Sequence, residues 1–396
     1  MSETEFNTGS IAWSYSDFEK NNWFIDIEAV NESHILLVTY EDPDSENWVA
    51  ATIDISEDDA PVTIHQTTTQ PENLTAGSTY WAYSSGSTWY AYTMDGDEIA
   101  NVDVGDSITA LEYVPHEKLL FIATDAEGGD VYCYELTGSL ITQWNIDEDD
   151  ENSETDTAAP VSGLAHTPEA GGNSGHIAAW KFDDIYGYDI DDIIDGVTDS
   201  LWGGEVDNLG SIQHGIDVTH YTTDSDQTYW NYYGLRDITV YEVRVTFGTD
   251  GWTVASTSAD LVDEDIGFKG DVNETIGDSS LTHGISAERA PNGYSGAEEI
   301  HQYLIGDSNG SVLLSDNDGP YWGHRLHNTL RASNALGTQH SYISGVAHLP
   351  ESGLIASVDA LGAILVFDPA GRDSLDVGGG GESGGTGFDT DRTRLG

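Results

Sequence analysis

Three stretches far apart in the chain share one frame. Ile108 to Thr124 reads ITALEYVPHEKLLFIAT, Val161 to Ala179 reads VSGLAHTPEAGGNSGHIAA, and Ile343 to Asp368 reads ISGVAHLPESGLIASVDALGAILVFD. Each opens on an apolar run, passes Tyr or His and then Pro, and resumes as a second apolar strand after a short polar gap. A frame that returns along a chain marks a repeat architecture, in which one supersecondary unit cannot bury its own apolar faces and must stack on its neighbours. Elsewhere almost no segment has a helical period. Short alternating runs rich in Val, Ile, Thr, Tyr and Trp are broken by Gly, Asp, Asn and Ser, which is the pattern of strands joined by tight turns.

Grouped by their turns, these runs predict four-stranded sets. The first covers Trp23 to Gln66, the second Leu74 to Val104, the third Ile108 to Ile146 and the fourth Val161 to Trp202. In the fourth, the strands are expected at Val161 to His166, His176 to Phe182, Ile185 to Ile190 and Val197 to Trp202. The fifth covers Ile212 to Thr257, the sixth Leu281 to Leu326, and the seventh is the stretch from Ile343 to Asp368. The seventh lacks a fourth strand, and the unassigned run Ser10 to Tyr15 at the start of the chain would supply it. Radial repetition of four-stranded sheets is a β-propeller, an all-β fold that protects most strand edges. The expected architecture is a seven-bladed propeller over residues 1–377, with six or eight blades as alternatives.

Small residues suit that shape. Ala110, Gly163, Gly215, Gly284 and Gly345 fall at about the same place in five first strands, where strands crowding an axis would leave no room for bulk. Their apolar neighbours Leu111, Leu164, Ile216, Ile285 and Val346 would pack between blades. The frame of apolar, two residues, apolar, one residue, aromatic or His, one residue, Pro resembles the inner strand of WD40-like blades. The resemblance is carried by three blades. No Trp-Asp dipeptide closes the third strands, and Val366-Phe367-Asp368 comes nearest.

Charge sets the solvent. The chain holds 71 acidic residues against 12 Lys plus Arg, a formal net charge of −59. Acidic chains of this kind can be disordered, but those are poor in aromatics. Here 11 Trp, 20 Tyr and 9 Phe lie in strand-like runs, so a folded protein is expected. Molar salt shortens the Debye length to about 3 Å, which silences repulsion across such a surface. The composition therefore reads as that of a protein of an extreme halophile, a haloarchaeon or a haloarchaeal virus. Nucleic acid is excluded as a partner, since phosphate binding needs a basic patch. The opening MSETEFNTGS has no basic or apolar region of a secretory signal, and no apolar run is long enough to span a membrane. Cys133 stands alone, so no disulfide framework exists.

Candidate sites are few. His166 and His348 share one frame position, while His214 and His283 share another, just before the column glycine. Gathered at one mouth they could hold a metal or move protons, but none of the four stands in a His-x-His or Glu-x-x-His spacing, and they read as inner-strand residues hydrogen-bonded to neighbouring blades or water. Asp316, Asp318 and Gly319, and Asp307, Asn309 and Gly310, hold fragments of a Ca²⁺ loop but lack its closing Glu. Both are also ordinary hairpin turns. The run Asp147 to Asp156 reads as a solvated loop that associates loosely with Na⁺, K⁺ or divalent cations. Trp81, Trp89, Trp180, Trp202, Trp230 and Trp322 sit in strands, where packing between blades is their usual fate and a carbohydrate-stacking face is the alternative. Residues 378–387 form a Gly-rich linker, and residues 388–396 (FDTDRTRLG) carry Phe388, Arg392, Arg394 and Leu395. A tethered peptide of this kind raises its own local concentration against a partner.

The expected function is accordingly non-enzymatic, with no cofactor. The chain reads as a structural or adhesive component of a halophilic assembly, such as a virion surface, spike or tail protein of a haloarchaeal virus. Its partners would be other structural proteins, reached through the tail, and a host surface protein or glycan. A cytoplasmic WD40-like scaffold of a halophilic archaeon, and a propeller lyase or hydrolase, are the alternatives.

Overall fold

The structure, a computed structural model, describes residues 10–16, 23–30, 35–42, 47–56, 62–67, 69–146, 160–167, 175–181, 184–205, 214–222, 228–236, 239–248, 251–260, 282–289, 301–307, 312–316, 319–324, 343–349, 354–359 and 363–368. The fold is all-β, with seven four-stranded antiparallel sheets among the described residues. Two compact units divide the chain: Met1–Gln70 with Glu264–Gly396, and Pro71–Asp263.

In the first unit, one sheet is formed by β2 to β5 (Trp23–Ala29, Ile35–Asp42, Asn47–Asp54 and Val62–Thr67). A second is formed by β22 to β25 (Thr282–Arg289, His301–Asp307, Val312–Asp316 and Gly319–His324). The third contains β26 to β28 (Ile343–Leu349, Leu354–Asp359 and Ala363–Asp368). It is completed by β1 (Ser10–Ser16), which pairs antiparallel with β28 from Ser10↔Asp368 to Ser16↔Ala363. The unassigned run at the start of the sequence is thus the fourth strand of the last set.

The second unit holds four sheets in chain order. They are β6 to β9 (Asn73–Ala76, Tyr80–Ser85, Thr88–Thr93 and Glu98–Asp103) and β10 to β13 (Ile108–Val114, Leu119–Thr124, Asp130–Glu135 and Leu140–Asn145). After them come β14 to β17 (Val161–Thr167, His176–Lys181, Asp184–Asp189 and Trp202–Glu205) and β18 to β21 (His214–Thr222, Thr228–Arg236, Thr239–Gly248 and Gly251–Asp260).

The second strands explain why the sheets stack. In β11, β15 and β27 every residue is buried, so neither face of the strand meets water. Side chains alternate across a strand, and a sheet buried on both sides needs a neighbour on each side. Leu119, Phe121 and Ala123 of β11 accordingly join one cluster with Leu164, Ile177 and Tyr188 of the following sheet. The intervening Leu120 and Ile122 join another with Trp89 and Ala91 of the preceding sheet. The same division recurs in β15, where Ile177 and Ala179 face back and Ala178 and Trp180 face forward to Trp230 and Tyr232. Fourth strands lie at the periphery instead: β9 has no buried residue, and β13 buries only Trp144.

Within each unit first strands lie beside one another, and in the second unit they are stitched by polar side chains. Thr75 Oγ1 accepts from the Tyr113 N–H at 3.1 Å, and Thr109 Oγ1 donates to the Val161 carbonyl. Six first strands carry a β-bulge at the frame's start: β2, β10, β14, β18, β22 and β26. The bulge corrects the expected small-residue column. Thr109, Ser162 and Ser344 are the unpaired residues in β10, β14 and β26, and Ala110, Gly163 and Gly345 follow them. In β18 and β22 the unpaired residue is Gly215 or Gly284 itself. One sequence column therefore occupies two backbone positions: the bulge opens at the column residue in β18 and β22 and one residue before it in β10, β14 and β26.

A second correction concerns the fourth set. Residues 197–201 are not a strand, and β17 begins at Trp202. A short helix, α1 (Ile190–Ile194), takes the preceding chain. Asp189 caps it by accepting from the Asp191 and Asp192 N–H groups, and Ile190 and Ile193 anchor it in the core. Val197 then donates its N–H to the Asp192 carbonyl at 2.8 Å, which turns it away from a ladder. Trp202 lies flat over Gly187, its cross-strand partner. A Cβ on Gly187 would fall 2.0 Å from Trp202 Cε2. Gly187→Ala should expel the indole and cost about 2–4 kcal/mol, read from denaturation in molar KCl. Gly86→Ala, where a methyl meets nothing and only φ of +59° is strained, should cost about 1–2 kcal/mol.

Candidate functional site

Among the described residues a cluster of polar and aromatic groups lies between the β14–β17 and β18–β21 sheets. Trp230 and Tyr232 alternate onto one face of β19, and Trp252 of β21 pairs across the hairpin with Phe247 of β20. His176 of β15 stands edge-on to two indoles, with ring centroids 5.6 Å from Trp230 and 5.1 Å from Trp252. Trp202 extends the cluster, 5.4 Å from Tyr232 and 6.4 Å from Trp252. At the outer end Phe247 packs on Trp252 at 4.7 Å and is 47% exposed.

Electrostatics follow from that enclosure. Burial pushes the His176 imidazole down to about 4, with Asp189 pulling weakly the other way. Burial, reinforced by His176, also pushes His166 down to about 4. Both rings are neutral near pH 7. The Thr167 hydroxyl donates to the His176 carbonyl at 3.2 Å, which locks the strand ends together. His176 Nε2 and the indole nitrogens of Trp202 and Trp230 have no hydrogen-bond partner among protein groups. Buried polar atoms of this kind are normally satisfied by ordered water.

His348 in the first unit repeats the frame position of His166, and burial holds it down to about 3. The two imidazoles therefore share a register and a neutral state. His214 and His283 lie on β18 and β22, directly before the bulged glycines. Trp81, Trp89, Trp180, Trp202 and Trp230 are all buried, so the packing reading holds for these five. Trp81 Nε1 donates to the Thr93 carbonyl at 3.1 Å. Asp307, Asp316 and Gly319 fall at strand ends, while Asn309, Gly310 and Asp318 lie outside the described residues. So do the run Asp147 to Asp156 and the tail with Phe388, Arg392, Arg394 and Leu395. Among the described residues no three His, Cys, Asp or Glu side chains group to hold a metal ion.

Two groups escape the sequence reading. Asp26 occupies in β2 the place after the bulge that Ala110, Gly163 and Gly345 hold elsewhere. Its residue keeps some surface, but its carboxyl is turned in against Gly345, where a Cβ would sit 2.8 Å from Asp26 Oδ1. Burial raises this carboxyl to about 7, and the Ile27 N–H, donating at 2.8 Å, only partly opposes the shift. Lys181 is the other. It is buried at the end of β15, and its Nζ donates to the Gly128 carbonyl at 3.2 Å, tying two sheets together. Burial lowers its ammonium pKa, with Asp184 opposing. Compared with known proteins, the chain matches no family model and no curated protein.

These shifts predict a pH profile. A raised carboxyl pKa favours the fold fully below the unfolded value and loses that contribution as pH climbs through about 7, at most about 4 kcal/mol for Asp26. Lowered imidazole pKa values act oppositely: their stability is present above about 6.5 and is lost as pH falls toward about 4. Three imidazoles outweigh one carboxyl on the acid side, so thermal midpoints in molar KCl should peak near pH 6–7. Asp26→Asn, which keeps the Oδ1 acceptor, should raise the midpoint at about pH 8 and leave it unchanged at about pH 4. An equal effect at both values would reject the buried carboxyl.

Proposed function

We propose that the seven sheets are the blades of one WD40-like β-propeller, closed by β1, and that the protein is a non-enzymatic structural or adhesive component of a halophilic assembly. The blade reading rests on second strands buried on both faces, which a two-sheet sandwich does not produce. The functional reading rests on one observation above all: the chain carries 71 acidic residues against 12 basic ones, while the described cores are built from aliphatic and aromatic side chains. Such a surface works where salt is near saturation, and in dilute buffer its self-repulsion opposes compaction.

The buried histidines serve packing in this reading. His176 fills a space between indoles, and His166 and His348 are neutral strand residues. A virion surface, spike or tail protein of a haloarchaeal virus suits these features, with contacts to other structural proteins or to a host surface protein or glycan. Residues 388–396 act as the docking peptide, because two of the chain's few arginines lie there behind a Gly-rich tether. Arginine pairs with carboxylates bidentately, a contact that suits an acidic partner in salt better than lysine does.

Two outcomes test the proposal. Far- and near-UV circular dichroism should be native in molar KCl and collapse below about 0.5 M; structure retained in dilute buffer would remove the halophilic premise. The chain should also copurify with particles, and deletion of residues 388–396 should leave a folded protein that no longer enters them. A deletion variant that is incorporated normally would remove the tail's role. Copurification with cytoplasmic complexes instead of particles would favour the scaffold reading.

A further inference from the structure

We infer that β21 is a self-association edge, through which two copies of the chain join strand to strand. This deepens the assembly reading and rests on it for its biological setting. Among the described residues β21 is the last strand of its sheet, in the order β18-β19-β20-β21, and pairs through ten residues with β20. At ten residues it is longer than β5, β9, β13, β17, β25 and β1, the corresponding end strands of the other sheets, which have four to seven. An edge of this length is about 30 Å of backbone donors and acceptors. Proteins usually blunt such edges with charge, Pro or a short strand. Here Gly251 to Ala259, GWTVASTSA, carries no charge and no Pro, in a chain that is 21% charged.

Charge also selects the occupant. Two copies at −59 each bring carboxylates together over most contacts, whereas this strip presents none until Asp260. A two-fold axis crossing the middle of β21 would set one uncharged strand antiparallel to its equal, an isologous contact that closes as a dimer. The exposed Phe247, seated on Trp252 at one end of the hairpin, adds an apolar contact beside the ladder.

Sedimentation of the full chain in molar KCl tests this, across concentration, together with Ser256→Pro and Thr257→Pro. Successive N–H groups of an edge strand point alternately to its partner and outward. One substitution therefore removes an outward donor, and the other removes a bond to β20. The first should weaken the dimer at least about tenfold with the thermal midpoint unchanged; the second should lower the midpoint. Hydrogen exchange should show alternate β21 amides gaining protection as the wild type dimerises. A wild type monomeric at all concentrations, or a dimer that survives both substitutions with unprotected β21 amides, overturns the inference. A monomer that still enters particles would sink the edge and leave the assembly reading intact. A β21-dependent dimer never found in particles would do the reverse.

Discussion

Everything in this chain depends on covering both faces of very small sheets. A four-stranded sheet with strands of about six residues has too little area to form a core alone. Its second strand has apolar side chains pointing both ways, so it is stable only between two others. Leu120 and Ile122 on one side of β11, and Phe121 on the other, each contribute roughly 1.5–3 kcal/mol when buried, and only if the adjacent sheets are present. Stability is therefore shared between neighbours, and no sheet is a unit of its own. The aromatic residues serve the same need. Trp89, Trp144, Trp202 and Trp230 span gaps between sheets that smaller side chains would leave open.

The polar groups that enter these interfaces take structural roles on the same terms. Thr75 and Thr109 tie adjacent first strands, Lys181 holds a turn of the preceding sheet, and Asp189 caps the one short helix described. Asp26 and the neutral histidines are titratable groups in places where neighbours need shape more than charge. They make the fold sensitive to pH, while under the halophilic proposal the remaining carboxylates would make it sensitive to salt. These are separate dependences: burial sets the first, and the density of surface charge sets the second.

Much of this was legible in the sequence. Period-two runs and Gly or Asp turns placed strands within a few residues, and the missing fourth strand of the last set led to Ser10–Ser16. The frame's glycines located the crowded part of the first strands. Their backbone register was not legible, because a bulge adds one residue without altering the hydrophobic pattern. Helix α1 was hidden in DIDDIID, whose acidic residues look like a loop until Asp189 is seen as a cap and Ile190 and Ile193 as its buried side. Asp26 was missed because the frame is marked by glycine, and a carboxylate in that slot carries no pattern of its own. His176 was visible only as the start of a strand; its surroundings come from Trp230 and Trp252, more than fifty residues further on.

The proposed propeller requires every one of the seven sheets to be covered on both sides. Native-state hydrogen exchange in molar KCl tests this most directly, followed in the second strands β3, β7, β11, β15, β19, β23 and β27. A closed propeller predicts slow exchange in all seven, close to the global unfolding limit. Fast exchange confined to two of them would identify uncovered terminal sheets, an open stack, and would contradict the propeller.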